Sequence, residues 1–351
     1  LMTGKKGGIV AIEPSTGEIL CMVSSPTYDP RMMVGRQRGT NNSLLSRNPH
    51  KPLLNRAIMG QYPPGSTFKT TQALTFLQEG IVTPQTLFPC SMGFRFKGLT
   101  VGCHAHAAPI PLVPSLATSC NSYYCWGLFQ MFSNRNKYST VQDAMTRWKD
   151  YMVSMGFGYA LGVDLPGEKR GMIPNAPYYD KAYRGSWNGL TVISISIGQG
   201  EVNATPLQIA NLGATIANRG WFITPHVVKD IQDEDLDSLY TKRRYTMADA
   251  ANYEYVVQGM RQAVLAGTCH AANSPHYEVC GKTGTAQNPH GQDHSAFMGF
   301  APMNDPKIAI CVYVENGIWG ATFGVPIGSL MMEQYLTGGL SPESEEKAKS
   351  F

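Results

Sequence analysis

Ser66 and Lys69 stand three positions apart, directly after Pro63-Pro64-Gly65. With the prolines and glycine ending an irregular segment, a helix beginning at Ser66 puts the hydroxyl and the amine on one face. Such a pair can do acyl chemistry. A serine hydroxyl attacks a carbonyl only when a base takes its proton, and lysine serves once burial or a nearby cation lowers its pKa from about 10.4. The helix start adds backbone N–H groups and a dipole that favour developing negative charge. The Ser-x-x-Lys pattern alone decides little, because Ser344-Glu345-Glu346-Lys347 matches it too.

Two further groups raise the first copy above the second. Ser119-Cys120-Asn121 supplies Ser-x-Asn, a pattern that Ser186-Trp187-Asn188 also fits, and Lys282-Thr283-Gly284-Thr285 follows the strand-like run Tyr277 to Lys282. Lys282 offers a second proton-relay partner, and the Thr283 and Thr285 hydroxyls can hold a carboxylate. Gly284 is expected to keep a side chain off the cleft. The N–H groups of Ser66 and Thr285 are expected to form an oxyanion hole. In order along the chain, with Ser66 at a helix start, Ser119 in an inter-helix loop and Lys282 on an edge strand, the trio is specific to serine acyl-enzymes. Ser66, Lys69, Ser119 and Lys282 are therefore the candidate catalytic residues; Asn121, Thr283, Gly284 and Thr285 are the candidate substrate-binding residues. Lys69, one helical turn from Ser66, is expected to be the neutral base, with Lys282 charged.

Between the first two motifs lie Cys90, Cys103, His104, His106 and Cys120. Three thiolates and one imidazole make a tetrahedral zinc set with no position left for water, hence a structural one. A Cys90–Cys103 disulfide, or simply buried thiols, is the alternative. Cys21, Cys280 and Cys311 sit in apolar runs and are read as buried, inert thiols.

The elements that must position these groups are legible in outline. Gly8 to Ile12 and Glu18 to Val23 flank Pro14-Ser15-Thr16-Gly17 as a hairpin; Ser295 to Ala301 and Lys307 to Val314 flank a second turn. With Tyr277 to Lys282 they give five strands. Helical patterns run over Ser66 to Glu79, with Gly80 as its stop, and over Val113 to Phe132, Val141 to Met155 and Pro206 to Asn218. Strands at both ends and helices between them predict an α+β fold, its sheet completed by the two termini. The polar end from Ser341 to Phe351 reads as a frayed tail.

Composition narrows the function further. A net charge of +4 on 351 residues, only 15% of them charged, with no basic run beyond Lys242-Arg243-Arg244, gives no nucleic-acid footprint. No stretch reaches the roughly 18 unbroken apolar residues of a membrane span, and no signal-peptide pattern precedes Leu1. Gly198-Gln199-Gly200 lacks the spacing and lysine of a phosphate loop.

Taken together, the chain resembles the class B penicillin-binding proteins, most closely the penicillin-binding protein 2 group of the cell-elongation machinery. The likeness rests on the trio and on Gly8-Ile9-Val10-Ala11-Ile12-Glu13-Pro14, Ser25-Pro26-Thr27-Tyr28-Asp29-Pro30, Leu165-Pro166-Gly167-Glu168, Ile197-Gly198-Gln199-Gly200, Thr205-Pro206-Leu207-Gln208 and Phe297-Met298-Gly299-Phe300-Ala301-Pro302. It implies a transpeptidase fold like that of β-lactamases, with a five-stranded antiparallel sheet flanked by helices and a mostly helical lobe over residues 65–170. It also implies that Ser66 attacks the penultimate D-Ala carbonyl of a peptidoglycan stem peptide, that a neighbouring stem's amine resolves the ester, and that β-lactams acylate the same serine without a catalytic cofactor. The implied partners are a membrane glycosyltransferase and scaffold proteins. The implied location is the periplasmic face of the cytoplasmic membrane, through an N-terminal anchor and pedestal that these residues do not include. Some relatives hold zinc beside the active site; carried over by position, the ligands are Cys90, Cys103, His106 and Cys120, with His104 as a rival. The competing readings are a β-lactamase, although no glutamate here has the Asn four positions on that a class A deacylating motif requires, and a β-lactam sensor.

Overall fold

Along β1 (Gly7–Ile12) successive side chains part to opposite faces, and both faces are covered: Val10 and Ile12 enter one hydrophobic core, Ile9 and Ala11 another. In this computed structural model, which describes all 351 residues, the chain turns at Gly17, whose φ is +80°, into the antiparallel strand β2 (Ile19–Ser25). Helices α1 (Arg38–Arg47) and α2 (Arg56–Met59) lead to a single 3-10 turn, Gly65–Phe68, that runs straight into α3 (Lys69–Gln78). Gly80 at φ +65° follows that helix as the expected stop.

A small hairpin, β3 (Gly93–Phe96) and β4 (Leu99–Gly102), precedes α4 (Leu112–Ala117) and α5 (Asn121–Ser133). The single helix read over Val113 to Phe132 is thus two. Ser119 breaks it with φ +57°, a left-handed conformation costly for a residue with a Cβ. Then come α6 (Val141–Ser154), α7 (Ala176–Tyr183) and α8 (Pro206–Ala217), two two-residue strands β5 (Trp221–Phe222) and β6 (Arg244–Tyr245), and α9 (Ala250–Ala266). The long α9, not among the helices read from the sequence, buries a stripe of Tyr253, Val256, Val257, Met260, Ala263 and Val264. Its Gly259 explains how it seats, because a Cβ there would fall 2.6 Å from the Leu116 Cβ of α4.

The sheet is completed by β7 (Cys280–Ala286), β8 (His294–Ala301) and β9 (Ile308–Val314), in the order β2-β1-β9-β8-β7, every neighbour antiparallel. Both ends of the chain therefore meet in one sheet, as the hairpins predict. β7 is an edge strand and runs four residues past the expected end at Lys282, through the whole Lys-Thr-Gly-Thr motif. All twelve residues of α8 are buried on one sheet face, its start fixed by a Thr205–Gln208 capping box, and α10 (Gly324–Thr337) covers the other. The C-terminal segment is not frayed. Ser341 caps α11 (Pro342–Lys349), and the Phe351 carbonyl accepts from Lys5 Nζ at 2.8 Å.

In the helical lobe one carboxylate ties three segments together. Glu79, at the end of α3, accepts from Tyr138, from Tyr151 Oη at 2.6 Å and from Arg147 Nε at 2.8 Å, and pairs with Lys137 at 2.9 Å. Burial alone would raise its pKa, but the tyrosine and cation hydrogen bonds pull it down to about 2. Because the folded pKa lies below the usual 4.5, this stabilisation is complete above about pH 4.5 and is lost as pH falls towards 2. Glu79→Gln is expected to cost roughly 2–3 kcal/mol at pH 7 in urea unfolding, and its deficit against the parent protein should shrink between pH 4.5 and 2. An unchanged deficit across that window would show that the carboxylate charge is irrelevant.

Candidate active site

Ser66 is placed by its neighbours on the chain. Tyr62 stacks on Tyr313 of β9 with ring centroids 4.3 Å apart, the Tyr313 hydroxyl donates to the Pro63 carbonyl at 3.0 Å, and Tyr62 pairs by both backbone groups with Ala204. Gly65 then turns at φ +56°, where a Cβ would fall 2.7 Å from the Thr285 carbonyl oxygen. Gly198 accepts from the Gly65 N–H at 3.0 Å; a Cβ on it would lie 2.2 Å from the Gly65 oxygen. Gly65 thus brings the Ser66 turn against β7, Gly198 packs the end of the segment Ile193–Ile197 on the same turn, and the first-turn N–H groups of the helix start have no helical partner.

Behind Ser66 the two lysines meet on one oxygen. Lys69 Nζ donates to Ser119 Oγ at 3.1 Å, the Ser119 carbonyl at 2.6 Å and Asn121 Oδ1 at 2.6 Å; Lys282 Nζ donates to the same Ser119 Oγ at 2.8 Å and to the Thr283 carbonyl at 3.1 Å. Neither amine is exposed. Burial pulls Lys69 down to about 8; burial and then repulsion from Lys69 pull Lys282 to about 7. Three acceptors around Lys69 match the three protons of an ammonium. Burial thus holds both amines below the usual lysine range, which leaves either able to take up a proton near neutral pH. Ser66 is not among the acceptors of Lys69, so the amine faces Ser119 and Asn121 instead of the hydroxyl one turn before it.

A cleft of about 600 Å³ opens over these groups, lined by Ser66, Ser119 and Asn121 on one side and Thr283 and Thr285 on the other. Gly284 departs from expectation. Alternation turns it away from the cleft, and a Cβ on it would lie 3.0 Å from the Pro64 oxygen and 3.1 Å from Thr67 Cγ2, so it lets β7 close on the Ser66 turn. Several lining residues carry no motif. Gln199 Nε2 donates to the Thr285 carbonyl at 3.2 Å, and Thr268 Oγ1 accepts from Thr283 at 2.9 Å. The family-like stretch around Gly198 was the only signal for Gln199; His104, also in the lining, was marked only as a rival metal ligand, and Gln287, Asp293 and Trp319 had no signal.

The cysteine cluster assembles next to this cleft. One donor atom from each of Cys90, Cys103, His106 and Cys120 lies within 4.8 Å of all the others. All eight cysteines are unpaired, so no Cys90–Cys103 disulfide is present. His106 Nδ1 is bonded to the Ala107 carbonyl at 2.8 Å, and its Nε2 lies 3.5 Å from Cys103 Sγ, near the roughly 3.6 Å edge of a zinc tetrahedron with one sulfur and one nitrogen. The Asn121 N–H points at Cys103 Sγ and the Tyr123 N–H at Cys120 Sγ. Hydrogen bonds from Cys120, from the Asn121 N–H and from His106 hold Cys103 down to about 4, and the same pairing pushes Cys120 up. Such a donor set fits zinc. His104 is not part of it: its Nε2 meets the Thr118 carbonyl and it faces the cleft. Of the three cysteines read as inert, Cys280 and Cys311 are buried and Cys21 is half-buried.

The comparisons agree with this geometry. The family model of the penicillin binding protein transpeptidase domain matches residues 7–329. The peptidoglycan D,D-transpeptidase MrdA of Acinetobacter baumannii is 34% identical over 352 residues, covering 92% of this chain and 49% of that protein. PBP2 of Pseudomonas aeruginosa, solved in complex with WCK 5153, superposes with a TM-score of 0.83 at 32% identity, over 97% of this chain and 74% of that one. PBP2 of Helicobacter pylori, solved in complex with MreC, gives 0.80 at 25% identity, over 96% and 61%. The chain spans about half the length of the curated relative it matches. Its fold is the penicillin-binding protein transpeptidase fold, and with the family match running over nearly its whole length the chain belongs to that family.

Proposed function

We propose that this chain is a serine D,D-transpeptidase domain that cross-links peptidoglycan stem peptides through an ester on Ser66. The observation that carries the proposal is the hydrogen-bonded set Lys69–Ser119–Lys282, buried beneath a cleft in which Ser66 faces the Thr283–Thr285 edge of β7. The stem's terminal carboxylate binds the Thr283 and Thr285 hydroxyls, and the Asn121 side chain steadies the peptide on the opposite wall. Ser66 Oγ attacks the penultimate D-Ala carbonyl carbon as its proton passes to the lysine pair, by way of Ser119 Oγ to whichever amine is neutral. The N–H groups of Ser66 and Thr285 receive the oxyanion. On collapse the C–N bond breaks and D-Ala leaves with the proton. A neighbouring stem's amine then attacks the ester, and Ser66 regains its hydrogen.

The helical lobe over residues 65–170, inserted between the two halves of the sheet, brings Ser66 and Ser119 to the cleft. No helix is long and apolar enough to cross a membrane. Placement at the periplasmic face of the cytoplasmic membrane, through an N-terminal anchor and pedestal, follows from the family resemblance, as do a glycosyltransferase and a scaffold as partners. The Helicobacter pylori relative solved with MreC supports a scaffold of that kind. Zinc, held by Cys90, Cys103, His106 and Cys120, supplies a structural cross-link and takes no part in the acyl transfer. It steadies the segment that presents Ser119 and Asn121.

Intact-mass measurement after incubation with benzylpenicillin, with peptide mapping, should find one adduct, on Ser66. Its rate of formation should rise with pH through about 7 to 8, where Lys282 and Lys69 lose protons, and level off above. A Lys69→Ala variant should acylate at least 100-fold more slowly; a near-normal rate, or an adduct elsewhere, rejects the mechanism. Benzylpenicillin turnover faster than about one per second makes the protein a β-lactamase instead.

Elemental analysis of the purified protein should find close to one equivalent of zinc, lost in Cys103→Ser together with several degrees of thermal stability. Less than about a tenth of an equivalent, with the thiols found paired, overturns the metal site.

A further inference from the structure

The walls of the cleft carry almost no charge. Both lysines lie beneath its surface, and the lining is hydroxyls, amides and small or apolar groups, with two ionisable exceptions. His104 stands on the helical wall against the Thr118 carbonyl. Asp293 stands at the far end, past β7, and is the one carboxylate in the lining.

Its position follows from the sheet register. The β7–β8 ladder ends at the pair Ala286 and His294, so Gln287 and Asp293 face each other as the turn opens beyond it. The Asp293 carboxylate accepts from the Asn288 N–H at 3.2 Å, and its main-chain oxygen accepts from the Ile318 N–H at 2.8 Å. That second bond anchors the loop carrying Trp319, an indole 61% exposed on the cleft wall. None of the protein's eight ion pairs includes Asp293. A carboxylate without a cation and a bare aromatic face, on one wall, suit an ammonium group.

The function proposed above says which ammonium. With its carboxylate on Thr283 and its scissile carbonyl between Ser66 and Thr285, a donor stem lies antiparallel to the open edge of β7. Its earlier residues then extend past Ala286 by about 3.3 Å each, towards Gln287, Asp293 and Trp319. The acceptor stem attacks through a side-chain amine, and the donor is a second molecule of the same kind, so the donor brings that amine too. Left loose, it is a cation over a cleft with two buried lysines and a misplaced nucleophile beside the ester. We infer that Asp293 and Trp319 form a subsite that binds the side-chain ammonium of the donor stem, selecting amine-bearing stems and holding that amine away from Ser66. The inference rests on the transpeptidase reading of the same cleft.

The test uses two peptides, Nα-acetyl-Lys-D-Ala-D-Ala with a free ε-amine and its ε-acetylated form, as protectants of Ser66 against benzylpenicillin labelling followed by mass. In the parent protein the free-amine peptide should halve the labelling rate at about fivefold lower concentration, the scale of one partly screened ion pair. Raising the salt concentration should narrow that ratio. Asp293→Asn should bring it to about one, and Asp293→Glu, which keeps the charge, should retain the preference. Equal protection in the parent protein, an unchanged ratio in Asp293→Asn, or no protection by either peptide overturns the subsite. Failure of benzylpenicillin to label Ser66 at all overturns the transpeptidase reading instead, so the two failures are separable.

Discussion

Two buried amines share one serine oxygen, and much of the surrounding structure is arranged to make that tolerable. A cation taken out of water is costly unless it is fully hydrogen-bonded, and two cations a few ångströms apart add repulsion. Lys69 meets this with three acceptors, two of them from Ser119 and one from Asn121. Lys282 has only Ser119 Oγ and its neighbour's carbonyl, and burial together with repulsion from Lys69 pulls its pKa down. Offering the Ser119 carbonyl and hydroxyl to one amine at once goes with the φ of +57° at that residue. Holding a residue with a Cβ there costs on the order of 1–3 kcal/mol, a strain that the break between α4 and α5 stores.

The sheet serves the same constraint from the other side. Lys282 reaches Ser119 because β7 lies at the sheet edge and approaches the Ser66 turn closely, which requires that Gly284 and Gly65 lack side chains. The outer edge of β7 pairs with no further strand and borders the cleft, where an extended ligand can run along it. Thr283 and Thr285 then face the cleft while Lys282 and Gly284 face inward, so one seven-residue strand supplies both a buried amine and the hydroxyls that line the cleft.

This division explains what the residues disclosed in advance and what they did not. The five strands were legible because apolar runs bounded by proline and glycine have few other uses. The end of β7 was not, because Lys, Thr and Gly carry no apolar alternation, and the strand forms there through its ladder with His294 to Phe297. The break at Ser119 was legible only through its motif, which sets that serine in an inter-helix loop, while the helical pattern from Val113 to Phe132 runs across it; its left-handed backbone is stabilised by groups distant in sequence. His106 was favoured by its C-x-x-H spacing from Cys103, with His104 its rival; the turn after β4 aims His106 at the sulfurs and His104 at the cleft. The second Ser-x-x-Lys match shows the reverse. Ser344 stands on the exposed surface helix α11 and donates to Glu333, far from any second amine.

The segment between the first two motifs has a stronger claim on the chemistry than its lack of catalytic residues suggests. Asn121 Nδ2 donates to the Gly102 carbonyl at 2.7 Å, and the Asn121 N–H to Cys103 Sγ at 3.3 Å, so the end of β4 grips both the backbone and the side chain of that residue. That grip aims Asn121 Oδ1 at Lys69 by leaving its amide nitrogen committed elsewhere. Any change that swings the Gly102–Cys103 backbone therefore alters the third acceptor of Lys69, and with it how firmly the proton is held. The cluster of Cys90, Cys103, His106 and Cys120 gathers beside this backbone, and its Cys120 stands between Ser119 and Asn121. Folding of the β3–β4 hairpin and tuning of the lysine pair are in this way one physical problem, joined through a single asparagine.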